Sequence, residues 1–270
     1  MSYFYAVIRI TNDLRQILND NMMTIFLTLL VTCSIVLGAN FDLVGVNDFN
    51  HVNEKQGVWL NGEPIFILYK RPSHPRMMNS YPIVKGKNIL EVRPVKEGSV
   101  SRVMQPHFFY ANESEEKAVV LKEATEGRSW AGGFFANDTY QINGRIDLSP
   151  LKQGRAKSVK SWVANLIEAL RSKDQDSLMV LYDPNTDSET ITKGARAFLR
   201  PDALCVEYSV FDTLSVLQGE SLILVYGVHN LAKWKVNDST YSADSVLFAE
   251  TVNGVYAYFA AGEWLKLNLD

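Results

Sequence analysis

The stretch VKSWVANLIEAL, Val159–Leu170, decides how this chain folds. Val159, Trp162, Val163, Leu166, Ile167 and Leu170 stand at i, i+3, i+4, i+7, i+8 and i+11, one continuous apolar stripe at helical period. Glu168 and Arg171 fall off the stripe. A helix with one such face needs an apolar surface to lie on, and strand signals lie upstream of it and, after two shorter helices, downstream.

Downstream, a second, short helix is expected over Gln175–Tyr182, stopped at Asp183-Pro184 because the residue before proline avoids the helical region. Ser188 is a suitable N-cap for a third helix, Glu189–Leu199, ended by Pro201. Strand signals follow. Leu204, Val206, Tyr208 and Val210 alternate with Cys205, Glu207 and Ser209. Leu222–His229, Leu231–Val236, Ser245–Val252, Val255–Ala260 and Trp264–Leu267 complete the run, with a hairpin signal at Asn253-Gly254. Helices followed by an antiparallel meander define an α+β domain, expected over 156–270.

The phrase Leu166-Ile167-Glu168-Ala169-Leu170, Lys173-Asp174 and Leu178-Met179-Val180-Leu181-Tyr182-Asp183-Pro184 resembles the opening of nuclear transport factor 2-like (NTF2-like) domains. The resemblance implies a cone in which helices pack on a curved sheet around a pocket. That family includes isomerases, dehydratases, cyclases and pure binding or assembly domains, so the fold does not select an activity.

Upstream of the long helix, Ser149–Arg155 is a basic connector containing glycine, and it is read as a domain boundary. Before it lie short strands with close turn signals: Gly57–Leu60 and Pro64–Tyr69 around Asn61-Gly62, Ile89–Arg93, His107–Ala111, Ala118–Ala124 and Ser129–Phe135. A second Asn-Gly, Asn143-Gly144, separates Tyr140–Ile142 from Arg145–Leu148. This spacing predicts a β-sandwich over 57–150. Val58-Trp59-Leu60-Asn61-Gly62 followed by Lys85–Val92 is similar to jelly-roll and immunoglobulin-like accessory modules, which bind sugar or pack beside a neighbour. The fold class as a whole is mainly β with an α+β part.

Residues 40–56 are polar and read as a linker. Before them, Met22–Ala39 is uncharged and long enough to cross a hydrocarbon core of about 30 Å at ~1.5 Å per residue. Three readings stay open: a cleaved signal peptide ending near the small residues Gly38 and Ala39, an uncleaved anchor that touches the membrane, or a buried or wrongly translated segment. Basic residues lie upstream and acidic ones just downstream, which favours an exported C-terminal part. Residues 1–39 are thus signal or anchor with a lead-in, and the domain is expected in the periplasm or facing it.

The formal net charge is −3, which argues against a nucleic-acid surface. Cys33 lies in the apolar run, so Cys205 is left without an intrachain partner. Asn112-Glu-Ser114, Asn137-Asp-Thr139 and Asn237-Asp-Ser239 match the glycosylation pattern and read as exposed turns.

His51, His74, His107 and His229 are widely spaced, and neither a zinc motif nor a phosphate loop is present. No metal or cofactor is expected. One catalytic option stands: His229 with Asp212 or Glu250 in a pocket of the second domain, where histidine and carboxylate could move a proton. Tyr182, at a helix end, and the aromatics Trp59 and Trp130, with Tyr69, Phe134 and Phe135 as a sugar-stacking platform, are ligand candidates. The leading expectation is a non-enzymatic binding or assembly module of the bacterial cell envelope. Its partner would be a protein, a small molecule or a carbohydrate, and a homodimer stays open. The alternative is a small-molecule lyase or isomerase using the C-terminal pocket.

Overall fold

Leu222–Tyr226, LILVY, is buried at all five positions. A strand covered on both faces reads this way: a continuous apolar run in place of alternation. In the computed structural model the described residues are 41–46, 55–68, 76–77, 83–95, 107–112, 115–125, 129–136, 147–258 and 264–269. Phe41–Asp270 form one compact unit.

In chain order the described strands are β1 (Phe41–Val46), β2 (Gln56–Leu60), β3 (Glu63–Leu68), β4 (Arg76–Met77), β5 (Gly86–Pro94), β6 (His107–Asn112), β7 (Glu115–Val120), β8 (Lys122–Thr125) and β9 (Ser129–Ala136). The helices follow: α1 (Arg155–Ser172), α2 (Gln175–Val180) and α3 (Ser188–Leu199). Then come β10 (Ala203–Tyr208), β11 (Ser215–Gln218), β12 (Leu222–Tyr226), β13 (Ala232–Val236), β14 (Ser239–Ala243), β15 (Ser245–Thr251), β16 (Gly254–Tyr258) and β17 (Trp264–Lys266). They form antiparallel sheets ordered β3-β2-β5-β9-β8, β4-β1-β6-β7, β10-β13-β14 and β11-β12-β15-β16-β17.

The sheet containing β12 is the middle layer. Ile223, Val225, Val246, Phe248, Val255 and Ala257 share a core with the α1 stripe. Leu222, Leu224, Tyr226, Leu247, Ala249 and Trp264 share the other core with β2, β3, β5 and β9. Period-two alternation assigns neighbours in one strand to opposite faces, so each face of β12 and β15 has its own apolar partner. The stretches expected as separate domains, 57–150 and 156–270, are therefore joined by one core that crosses the connector.

All six stripe residues of α1 are buried, as the spacing requires. Trp162 donates its indole N–H to the Leu181 carbonyl at 2.7 Å. Its ring meets Tyr182 and Phe248 edge-on, with centroids 5.5 and 5.7 Å apart. The Lys173-Asp174 turn divides its work. Lys173 ends α1 in the left-handed region at φ 59°, and the Asp174 carboxylate caps α2 by accepting from Ser177 N–H at 3.0 Å. The cap of α3 is Asp187, one residue before the expected Ser188, and its carboxylate accepts from Glu189 and Thr190 N–H. A charged acceptor suits the positive end of a helix better than a hydroxyl.

Asn61-Gly62 turns with φ 53° and 85°, the two positive values of a type I′ corner. At Asn253-Gly254 only the glycine is positive, at φ 128°, and Val252-Asn253 occupy the corner between paired Thr251 and Gly254. Ala118–Ala124 is split between β7 and β8. Asn143-Gly144, Tyr140–Ile142 and Met22–Ala39 lie outside the described residues. No described helix is long and apolar enough to cross a membrane.

Candidate functional site

The His229, Asp212 and Glu250 set is dispersed. β12 ends at Tyr226, three residues short of His229, so His229 does not share strand parity with Ile223 and Val225. It is exposed in the loop before β13. Two contacts lie just past the end of the strand. Gly227 is so close to Ser209 Oγ and the Asn230 carbonyl that a built Cβ would lie 2.3 Å from each. The Lys55 ammonium donates to the Gly227 carbonyl, and to the His229 carbonyl at 2.8 Å. Asp212 is exposed in a 3-10 turn, Phe211–Thr213.

Glu250 is fully buried and already engaged. Arg155 donates to it from Nε at 2.5 Å and from Nη2 at 3.2 Å. Lys152 stands 3.8 Å away. This pair ties the first residue of α1 to β15, on the helix-bearing side of the connector. A buried carboxylate held by a two-point guanidinium is a positioning element, and removing either partner would leave a desolvated charge.

Tyr182 is buried against Trp162 and bridges to Leu267 as part of the α2–β17 junction. Burial pushes its phenol above the ordinary tyrosine range, which keeps it neutral. Asp183 beside it is turned to Lys266 at 3.0 Å and to Asn185 N–H at 2.8 Å, and these contacts hold its carboxyl below the usual range.

The aromatic platform is divided by strand parity. Trp130 and Phe134 of β9 pack into the core with Val58 and Val92. Trp59 and Phe135 belong to the opposite face, where Trp59 lies under the Arg93 guanidinium at 4.7 Å and Phe135 is exposed. Arg93 in turn pairs with Glu91. Tyr69 lies outside the described residues. A single stacking surface made of Trp59 and Trp130 is therefore excluded by the pleat. Asn237 is exposed at a turn with φ 52°, as expected of that triplet.

Among the described residues no group of three or more His, Cys, Asp or Glu side chains is placed to hold a metal ion. Cys205 is a free thiol, half-buried, and burial pushes its pKa up.

Two features escaped the sequence reading. One is a two-ended clamp on β12 made by the β2–β3 hairpin. The Glu63 carboxylate accepts from Ser221 and Leu222 N–H, both at 2.9 Å, at the start of the strand. Lys55 binds the carbonyls at its end and lies over the Tyr226 ring at 5.4 Å. A carboxylate on N–H groups and an ammonium on carbonyls are each charge-assisted. No local motif marks this, because the partners are more than 150 positions apart.

The other is a set of exposed apolar residues on and just after β10. Leu204 is 63% exposed, Val206 50%, Tyr208 45% and, just beyond the strand, Val210 50%. Among the described residues β10 pairs only with β13, so its other edge has no ladder partner there. A bulge between Cys205 and Glu207 shifts the alternation at Val206: Leu204 stays on the outward face with Lys235, whereas Tyr208, paired with buried Ala232, lies on the helix side under the Arg171 guanidinium at 5.1 Å. Lys233 and Lys235 of β13 stand in register with Glu207 and Leu204. Compared with family models, with curated proteins and with solved structures, the chain finds no match in any of the three.

Proposed function

We propose that this chain is a non-enzymatic binding and assembly module, exported to the bacterial cell envelope, and that it takes an added strand from a protein partner along β10. The observation that carries this reading is the exposed apolar pair Leu204 and Val206 on a strand with one ladder partner among the described residues. An edge strand offers N–H and C=O groups to an extended chain, and exposed side chains beside them select its residues. Edges that must stay unpaired are commonly blunted by lysine, proline or a bulge; β10 contains neither lysine nor proline, and its bulge is confined to Val206. The partner segment is an extended polypeptide with apolar side chains facing Leu204 and Val206.

The address rests on the uncharged run Met22–Ala39, and the NTF2-like relationship on element order: three helices, then antiparallel strands, with α1 on the middle sheet. The engagement of Glu250 by Arg155 favours binding over proton transfer at that residue.

The experiment is photo-crosslinking in cells that make the full chain, with a photoreactive residue at position 206 or, separately, at 252. Val252 is more exposed, at 80%, but it sits on a hairpin corner. Adducts with a second polypeptide are expected at 206, in the envelope fraction, and not at 252. Equal labelling at the two positions, or none at 206, would overturn the reading.

A further inference from the structure

We propose that Asn253 is a site of spontaneous deamidation in the folded protein, and that the same dipeptide at Asn61-Gly62 is protected by the fold. The chemistry needs an asparagine followed by a residue whose amide nitrogen is not shielded by a Cβ. The Gly254 nitrogen attacks Cγ of Asn253 and loses its proton to water. The new C–N bond closes a succinimide, and Nδ2 leaves as ammonia. Water then opens the ring at either carbonyl, giving aspartate or isoaspartate. One water is consumed and one ammonia released, with no change in oxidation state.

Ring closure requires the asparagine side chain to swing onto the next nitrogen. Asn253 is exposed at the β15–β16 corner, and its carboxamide has no hydrogen-bond partner among the described residues. The turn is held through other atoms: the Asn253 N–H donates to Thr251 Oγ1 at 3.1 Å, and that hydroxyl donates to the Gly254 carbonyl at 3.0 Å. Asn61 is held at both ends of its carboxamide. Oδ1 accepts from Ile89 N–H at 2.9 Å, and Nδ2 donates to Asn88 Oδ1 at 2.8 Å. Asn88 is itself fully buried and bound to Val84 through N–H and carbonyl, so the holder cannot move with the held group.

Two identical dipeptides therefore face different costs of reaching the reactive geometry. Asn253 pays for no broken side-chain bond, and Asn61 must give up two. The consequence is local: aspartate adds a negative charge at the corner, and isoaspartate adds a backbone carbon between paired Thr251 and Gly254, next to buried Glu250.

The test is incubation of the full chain at mildly alkaline pH, once folded and once in denaturant, followed by peptide mapping that separates aspartate from isoaspartate. In the folded sample Asn253 should convert roughly tenfold faster than Asn61, or more, a difference of about 1.4 kcal/mol in barrier. In denaturant the two rates should converge. Equal folded-state rates would overturn the proposal, as would a preference for Asn253 that persists undiminished in denaturant.

Discussion

Glu63 shows how a single side chain can be held against its own preference for water. Burial pushes its carboxyl pKa up from the ordinary value of 4.5, and this outweighs the backbone N–H groups of Leu222, Ser221 and Glu220 that favour the charged form. The Glu220 carboxylate nearby pushes in the same direction as burial. A folded-state pKa above the unfolded one means that the folded protein binds the proton more readily. Its contribution to stability is present below 4.5 and is lost as pH rises through the raised value. Asp174, Asp183, Asp187, Asp202 and Glu168 have the opposite sign, each held down by hydrogen bonds or ion pairs. They lose their contribution only as pH falls below their ordinary values of 3.8 to 4.5, and Asp174, Asp187, Asp202 and Glu168, being exposed, are screened by water. The window just above 4.5 therefore isolates Glu63 among these groups. Lowering pH from neutral towards 4.5 should raise the melting temperature of the native chain more than that of Glu63→Gln. Parallel curves for the two proteins would show that Glu63 is not desolvated in the folded state.

At the scale of elements, α1 was legible and β10 was only half legible, for a physical reason. The α1 stripe has polar residues on its other side, so period and burial point to the same face, and all six stripe residues are buried. In β10 the alternation correctly marks a strand, but a period of two does not say which side is covered. Cys205 contributes to the helix-side core while Leu204 and Val206 face out. β14, with its Ser-Thr-Tyr-Ser-Ala sequence, carries no apolar alternation and is exposed throughout, so it gave no signal. His229 falls outside β12 because the strand ends at Tyr226, whose ladder partners Ser215 and Ser245 are the first residues of their own strands, a register that local alternation does not reveal. The helix face can be tested by contrast. Leu166→Ala empties a site that is 8% exposed and should cost roughly 2–5 kcal/mol where the surroundings do not collapse. Glu168 lies two residues on, exposed and paired with Arg171 at 2.7 Å. Surface pairs of this kind contribute little, so Glu168→Ala should leave the denaturation midpoint nearly unchanged. Equal losses in the two variants would mean that the stripe is not the packing face.

For the whole molecule the central question is whether the two sides of the connector unfold together. The period change at Ser149–Arg155 is real, since α1 begins at Arg155. Yet a change of period marks a change of element, and the division of cores lies elsewhere: the core of β2, β3, β5 and β9 continues into β12 and β15. The contacts that join them are close. A Cβ built on Gly57 would lie 2.7 Å from Leu217 Cδ1, and one on Gly219 would meet Glu63 and Pro64. The clamp of Lys55 and Glu63 acts across the same seam. Phe66 of β3 is 1% exposed in this shared core, so Phe66→Ala should cost about 3–5 kcal/mol. If the seam couples the halves, that loss is global: amides of α1 and β12 should exchange hydrogen faster by the same free energy as those of β5 and β9. Protection of 155–199 that stays at its native level while 56–136 exchanges freely would mean that the halves fold independently. The connector would then be a true domain boundary, and the shared core a docked surface between two bodies.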